Sequence, residues 1–230
     1  MPLTVFCLCN ESVKLSSDSS KEKKMEIGVS FSPDYCFRKL KPDADSKWIA
    51  DSRDTLEIPK FGFSVGANFI FKINKKLALE TGVLFSDRGE QTKKYSLENV
   101  PSGQKPIMYS YNFHDYYIDI PIKVNYYFLS GKLKFYVTAG ISAGFFINQK
   151  TTSITSFGNS DSKTTSKVDP GFSKVNLAAL AGCGIKYPMN NKTNLKIEPL
   201  YMRSITPIIN APVKVYLYSA GLNIGIYYNL

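Results

Sequence analysis

Seven titratable side chains stand at every-second-residue spacing among apolar neighbours: Glu26, Glu80, Asp119, Lys123, Lys186, Lys196 and Glu198. Acids and amines gathered in a space that excludes water have two uses. They can pair as a structural ionic network, or a perturbed member can move protons. The second use normally needs a partner base, and the chain has one histidine, His114. No HExxH, GxSxG or glycine-rich phosphate loop accompanies it. His114 therefore reads as a polar residue at the rim of a strand, and Asp115 and Asp119 as salt-bridge partners for Lys123. No catalytic residue and no cofactor is expected.

The four cysteines, Cys7, Cys9, Cys36 and Cys183, contain no CxxC pair and have no histidine nearby, so no zinc site is expected. Cys183 falls on an apolar strand face as a small hydrophobe. The formal net charge is +10. Many of the lysines lie in connecting segments, among them Lys39, Lys41, Lys47, Lys75, Lys76, Lys163 and Lys192, with no dense basic helix or arginine stripe. Nucleic acid needs a clustered basic face, so it is not an expected partner. Phosphate-bearing outer-leaflet glycolipid, such as lipopolysaccharide, fits better; a merely solvated loop surface is the plain alternative.

The elements that position these charges follow from period-two alternation. It is clearest at 135–147, where Phe135, Val137, Ala139, Ile141, Ala143, Phe145 and Ile147 share one face and small or polar residues occupy much of the other. It recurs at 61–73 and 215–228, and more weakly at 26–34, 77–87, 116–128, 175–187 and 195–203. Eight strands result. Links at Asn74-Lys75, Ser130-Gly131 and Pro188–Asn194 are short; those at 35–60, 88–115, 149–173 and 204–213 are long and polar. No run of eighteen apolar residues makes a transmembrane helix. The pattern predicts an all-β, eight-stranded antiparallel transmembrane β-barrel with short periplasmic turns and long extracellular loops, over residues 26–230.

Alternation alone does not say which face is inside. A soluble lipocalin-like barrel binding a small apolar ligand would turn the apolar row inward. Three features favour lipid outside. The polar face carries Gly, Ser and the charges above, which suit a narrow side-chain-filled interior. The apolar face is nearly free of charge over runs long enough for a ~25 Å apolar band. Aromatic rings gather near strand ends, at Phe61, Phe71, Tyr126, Phe128, Tyr187, Tyr201, Tyr216 and Tyr228, as a headgroup-level girdle requires. Eight strands leave no aqueous bore, which speaks against a passive channel. Pro121 and Pro199 each remove a ladder donor, so bulges or interruptions are expected there.

Residues 1–25 read as a disordered or mis-started segment. Met1–Cys9 is too short an apolar stretch for a signal peptide and lacks a basic start, so the true start lies upstream or the chain is truncated. The Ser/Thr-rich stretch 150–167 reads as a flexible extracellular loop or an adhesive surface. The segment 36–58 surrounds the single tryptophan, Trp48, with charges and is expected to fold over the lumen mouth. Trp48 is expected to pack within that loop, with a partner contact as the other use.

One segment carries a family resemblance. Tyr116-Tyr117-Ile118-Asp119-Ile120-Pro121 is similar to a "Tyr-x-x-(Ile/Leu)-Pro" strand, and Phe135-Tyr136-Val137-Thr138-Ala139-Gly140 to an "aromatic-x-x-x-Gly" strand. Leu79-Glu80-Thr81-Gly82-Val83-Leu84-Phe85-Ser86 matches a third pattern. Together they resemble the PorT-type outer-membrane β-barrel proteins of Bacteroidetes. The resemblance implies an outer-membrane barrel over most of the chain and no single function; some members assist the type IX secretion machinery. The combined expectation is a non-enzymatic barrel with a structural, adhesive or secretion-accessory role, contacting membrane lipid and an envelope protein through its loops.

Overall fold

The computed structural model describes residues 24–96, 107–128, 131–157, 160–168 and 171–230. The expected N-terminal segment, apart from Lys24 and Met25, lies outside the described residues, as do Cys7, Cys9 and Ser130. In chain order the elements are β1 (Met25–Pro42), a 3-10 turn (Ala44–Ser46), α1 (Lys47–Leu56), β2 (Glu57–Ile58), β3 (Lys60–Lys72), β4 (Leu77–Arg88) and β5 (Gln91–Thr92). They continue with β6 (Met108–Tyr127), β7 (Lys134–Phe157), β8 (Ser160–Val168), β9 (Val175–Pro188), β10 (Thr193–Ser204) and β11 (Val213–Asn229).

Eight of these strands close a ring in the order β1-β3-β4-β6-β7-β9-β10-β11, with every neighbouring pair antiparallel and β11 returning to β1. Closure is what lets strands sit in hydrocarbon, because no backbone donor or acceptor is left at an edge. The strands are tilted. Stepping through paired residues from Ile27 leads to Phe69, Thr81, Ile122, Ile141, Ala179, Arg203, Tyr218 and finally Phe37, ten residues further along the same strand. Eight strands with that stagger give a tilt of roughly 40° and an interior that side chains fill.

Each of the eight ring strands presents an apolar row outward and a largely polar row inward. On β1, Ile27, Val29, Phe31 and Tyr35 are exposed, while Glu26, Ser30, Ser32 and Asp34 are buried. A lipocalin arrangement is the inverse and is not what the chain adopts. No helix among the described residues is long and apolar enough to cross a membrane; the strands do the crossing. Two short turns share one device. Asn74 Oδ1 accepts from the Lys76 and Leu77 amides, and Asn190 Oδ1 from those of Lys192 and Thr193, all within 2.9 Å.

Three sequence expectations need correction. The expected interruptions at Pro121 and Pro199 occur, but no bulge accompanies them. Pairing skips from Thr81–Ile122 to Leu84–Asp119, and from Ile197–Ile185 to Leu200–Gly182, with unchanged register. The β6–β7 register instead shifts between Tyr116 and Tyr117, where Ile147 is the extra residue. Beyond it the inward phase of β7 moves from even to odd numbers, so Phe146 and Gln149 both face in.

The stretch 150–167 is not a loop: β7 runs on to Phe157, and β8 folds back along it from Phe157–Ser160 to Gln149–Val168. The segment 36–58 is likewise structured, with β1 continuing to Pro42 and α1 following. Trp48 does not pack within it. It stands on α1 with 69% of its surface exposed, because Ala50 takes the helix's buried position.

Candidate functional site

The lumen is filled in layers, from the short-turn rim upward. At the bottom, Lys186 Nζ bonds both oxygens of Glu26 at 2.5 and 2.6 Å, and Lys72 reaches Glu26 at 2.9 Å. Next, Lys123 bridges Glu198 at 2.6 Å and Glu80 at 3.2 Å. Lys196 is paired with Glu80 and lies 4.8 Å and 5.1 Å from the centres of the Tyr136 and Tyr227 rings. Those tyrosines donate their hydroxyls to Glu198 and Glu80, and Asn125 Nδ2 donates to Glu80 at 2.6 Å. Glu26, Glu80 and Glu198 thus face Lys123, Lys186 and Lys196, all buried, and the charges balance. Unpaired, any one of them would be very costly in this interior. A one-residue slip of register would swing such groups into acyl chains, at ~2–4 kcal/mol for a midplane lysine. The network therefore fixes register.

The middle of the lumen departs from the expected pairing. Asp119 is held by Arg88 and Ser86, each at 2.5 Å, and not by Lys123. Asp115 accepts from Gln149 Nε2 at 2.7 Å, also away from Lys123. Arg88 lies one residue past the expected strand end, which is why the sequence pattern missed it. Asp34 accepts from Ser32 and Ser64 at 2.6 and 2.5 Å. Around these groups is a cavity of about 50 Å³ lined by Ser30, Asn68, Ser142 and Asn223 among others, room for a few waters.

The lumen is not only ions, glycines and hydroxyls, as the sequence suggested. Tyr117, Leu40, Val213, Val215, Leu217, Ile208 and Ala50 form a buried apolar plug at the extracellular end, with Phe146 and Phe172 packed on it. Here α1 lies over the mouth. Arg38, buried in the lumen wall, donates to Glu57 at 2.5 Å and to Asp54 at 2.6 Å, tethering the helix. Arg53 links Glu57 on to Glu90. Burial, with the negative charges of Asp115 and Glu57 nearby, pushes the Glu90 carboxyl up to about 8.

His114 points outward at the extracellular rim. Its Nδ1 lies 2.8 Å from Asp87 and 3.0 Å from Lys60 Nζ. Lys60 also donates to Asp87 at 2.8 Å and to the Phe113 carbonyl at 2.9 Å. A His–Asp pair can serve a nucleophile, but here the carboxylate is already neutralised by an ammonium group. Among the described residues no hydroxyl or thiol is hydrogen-bonded to His114. Cys36 is buried and Cys183 is exposed on the outer face. No group of three or more His, Cys, Asp or Glu side chains that could hold a metal is found among the described residues.

The aromatic residues fall at two levels. Phe71, Tyr126, Phe128, Tyr187 and Tyr228 lie at the short-turn ends of their strands. Phe61, Tyr201 and Tyr216 lie at the opposite ends, Phe61 being 80% exposed. The upper level also includes further rings. Tyr35 packs edge-on to Phe61 at 5.5 Å, Tyr218 to Phe37 at 5.9 Å, and Phe85 stacks on Tyr116 at 5.5 Å.

An outward apolar band between two aromatic levels, around a plugged and charge-balanced interior, defines an integral β-barrel of the outer membrane. The family model described as "Outer membrane protein beta-barrel domain" matches residues 16–210, and the chain belongs to that family. Among curated proteins, none matches its sequence. Solved structures of similar shape include OprG from Pseudomonas aeruginosa, at 14% identity and TM-score 0.49, covering 90% of this chain and 96% of that one. Neisserial surface protein A is similar at 16% identity and TM-score 0.46, over 90% and 97%. Ail, the attachment invasion locus protein of Yersinia pestis, is similar at 13% identity and TM-score 0.34, over 89% and 99%.

Proposed function

We propose that the chain is a non-enzymatic outer-membrane scaffold that contacts partners through the sheet it raises outside the membrane, in an adhesive or assembly-accessory role. The observation that carries this reading is the β7–β8 hairpin. β7 is 24 residues long and outruns the apolar band, and all nine residues of β8 are exposed. One side of β8 pairs with β7, while the other is a sheet end with no strand beside it among the described residues. Such an edge offers backbone groups to an extended segment of a partner. Trp48, standing out from α1, is a second contact candidate. The plugged lumen keeps this platform rigid and supports neither a passive pore nor a small-molecule binding role. The PorT-type motifs favour a partner within the cell envelope, including secretion machinery.

The test replaces 148–168 with a short turn in cells displaying the barrel, and photo-cross-links from positions on β8 in the parent. The reading expects partner adducts and surface attachment in the parent and their loss in the variant, with heat-modifiable migration retained. Equal attachment and adduct patterns in both would sink it. His114→Ala is expected to leave every measured property of the envelope unchanged; loss of a hydrolytic activity in that variant would overturn the non-enzymatic reading.

A further inference from the structure

The outward faces of β1, β11 and β10 carry a group of cations at the extracellular rim. Above the Phe37–Tyr218 ring pair, the next outward row places Lys39 opposite Tyr216, and the row after that places Lys41 opposite Lys214. Arg203 on β10 lies across from Tyr218 and is exposed. None of these four makes an ion pair among the described residues. Two carboxylates of the α1 segment, the exposed Asp54 and the buried Glu57, are paired with the inward-facing Arg38. Asp43 and Asp45 follow the end of β1 but pair with none of the four. Elsewhere on the rim the pattern differs, since Lys60 is paired with Asp87 and Lys150 lies over the Tyr116 ring at 5.6 Å.

Like charges directly across a strand pair repel and lower the stability of the sheet. Lys41 opposite Lys214, with Lys39 diagonal to Lys214, is unfavourable unless an anion joins them. The height of the group says which anion. Each outward row on a strand tilted by roughly 40° stands ~5 Å above the one below. The lysines therefore lie ~5–10 Å above the aromatic level, and flexible stems let them bend toward the interface. Phosphate groups of a lipid whose acyl chains lie against Ile224, Leu222 and Tyr35 would sit at that height.

We propose that Lys39, Lys41, Lys214 and Arg203 form a binding site for the phosphate groups of an outer-leaflet glycolipid on the β10–β11–β1 face. The site uses two rows. Arg203, level with the aromatic rings, holds the phosphate nearer the acyl chains, and the lysine triad holds the one further out. Its acyl chains pack on the apolar band directly below.

The experiment titrates the detergent-solubilised full chain with bis-phosphorylated lipid A and with dephosphorylated lipid A, reading bound lipid by native mass spectrometry. The proposal expects phosphate-dependent binding that Lys39→Gln/Lys41→Gln/Lys214→Gln weakens on the order of 100-fold, from about fivefold per lysine. Lys75→Gln/Lys132→Gln/Lys192→Gln, the same charge loss at the short-turn rim, is expected to bind like the parent. Heat-modifiable migration reports folding; should the triple variant not fold, Lys41→Gln and Lys214→Gln are used singly, each expected to bind about fivefold more weakly. Equal binding of the two lipids, equal weakening by the control triple, or full displacement by inorganic phosphate would overturn the assignment.

Discussion

Lys186 on β9 and Glu26 on β1 are joined across the lumen by bonds of 2.5 and 2.6 Å, although β10 and β11 stand between their strands in the wall. The pair works as a crossbar. Removing one end leaves the other charge buried, with Lys72 as a partial substitute. Lys186→Met is expected to lower stability by about 3 kcal/mol, whereas Lys186→Met with Glu26→Met costs less than that single change. Denaturant unfolding from lipid vesicles, followed by heat-modifiable migration, checks the sign of the coupling.

Gly140 on β7 faces the lumen where β6 passes closely. An added methyl there would overlap the Ile122 carbonyl oxygen, a backbone atom that cannot rotate away. Gly140→Ala is expected to lower stability by about 1–3 kcal/mol and slow insertion into vesicles. Gly131, whose would-be methyl meets only the Leu133 carbonyl oxygen at an ordinary contact distance of 3.9 Å, is expected to tolerate alanine. Parallel refolding yields of the two variants decide the matter.

Arg38 holds α1 over the lumen mouth through Asp54 and Glu57. Arg38→Met removes both bonds while keeping the buried volume. The helix is expected to detach and the barrel below to remain closed. Trp48, the single tryptophan, reports this directly: its fluorescence anisotropy falls in the variant, while heat-modifiable migration is unchanged. An unaltered anisotropy would mean that Ala50 packing alone retains the helix.

Glu90 gives the docking of α1 over the lumen mouth a pH dependence whose sign is fixed by the raised carboxyl, at about 8. The docked segment keeps the proton that the opened segment releases near pH 4.5. Its stability is therefore full below that pH, falls as pH rises toward about 8, and is level above, with a span on the order of a few kcal/mol. Hydrogen-exchange protection of the α1 amides, corrected for the intrinsic rate, is expected to follow this course and to become flat in Glu90→Gln. A rise in protection with pH would contradict it.

The alternation was legible because each wall strand divides two media, acyl chain and packed lumen, so its two faces must differ in polarity. Where both faces meet water that contrast disappears. β8, Ser-Asp-Ser-Lys-Thr-Thr-Ser-Lys-Val, has no apolar row and reads as a loop, though its backbone pairs fully with β7. The extra residue Ile147 reverses the phase of β7, so the alternation breaks and Gln149 was not recognised as inward. α1 offers Ile49, Ala50 and Leu56 amid charges, too little for a stripe. The seven charges lie on strands of the ring, and Asp119's partner, Arg88, lies beyond the last residue of an alternating run. The apolar plug was hidden because Tyr117 and Leu217 sit on the row otherwise given to small and polar groups.

Because Glu26 is paired with Asn229 at the seam between β1 and β11, the first wall strand meets its second partner only after the other seven strands of the ring have been made. Until then β1 and whichever strand was last laid down are both raw edges, able to join another chain. Contacts so distant along the chain form slowly. The time a nascent copy spends unclosed therefore depends on a late event at β11. Delivery to the membrane becomes a race between that event and aggregation in the aqueous space the chain must cross.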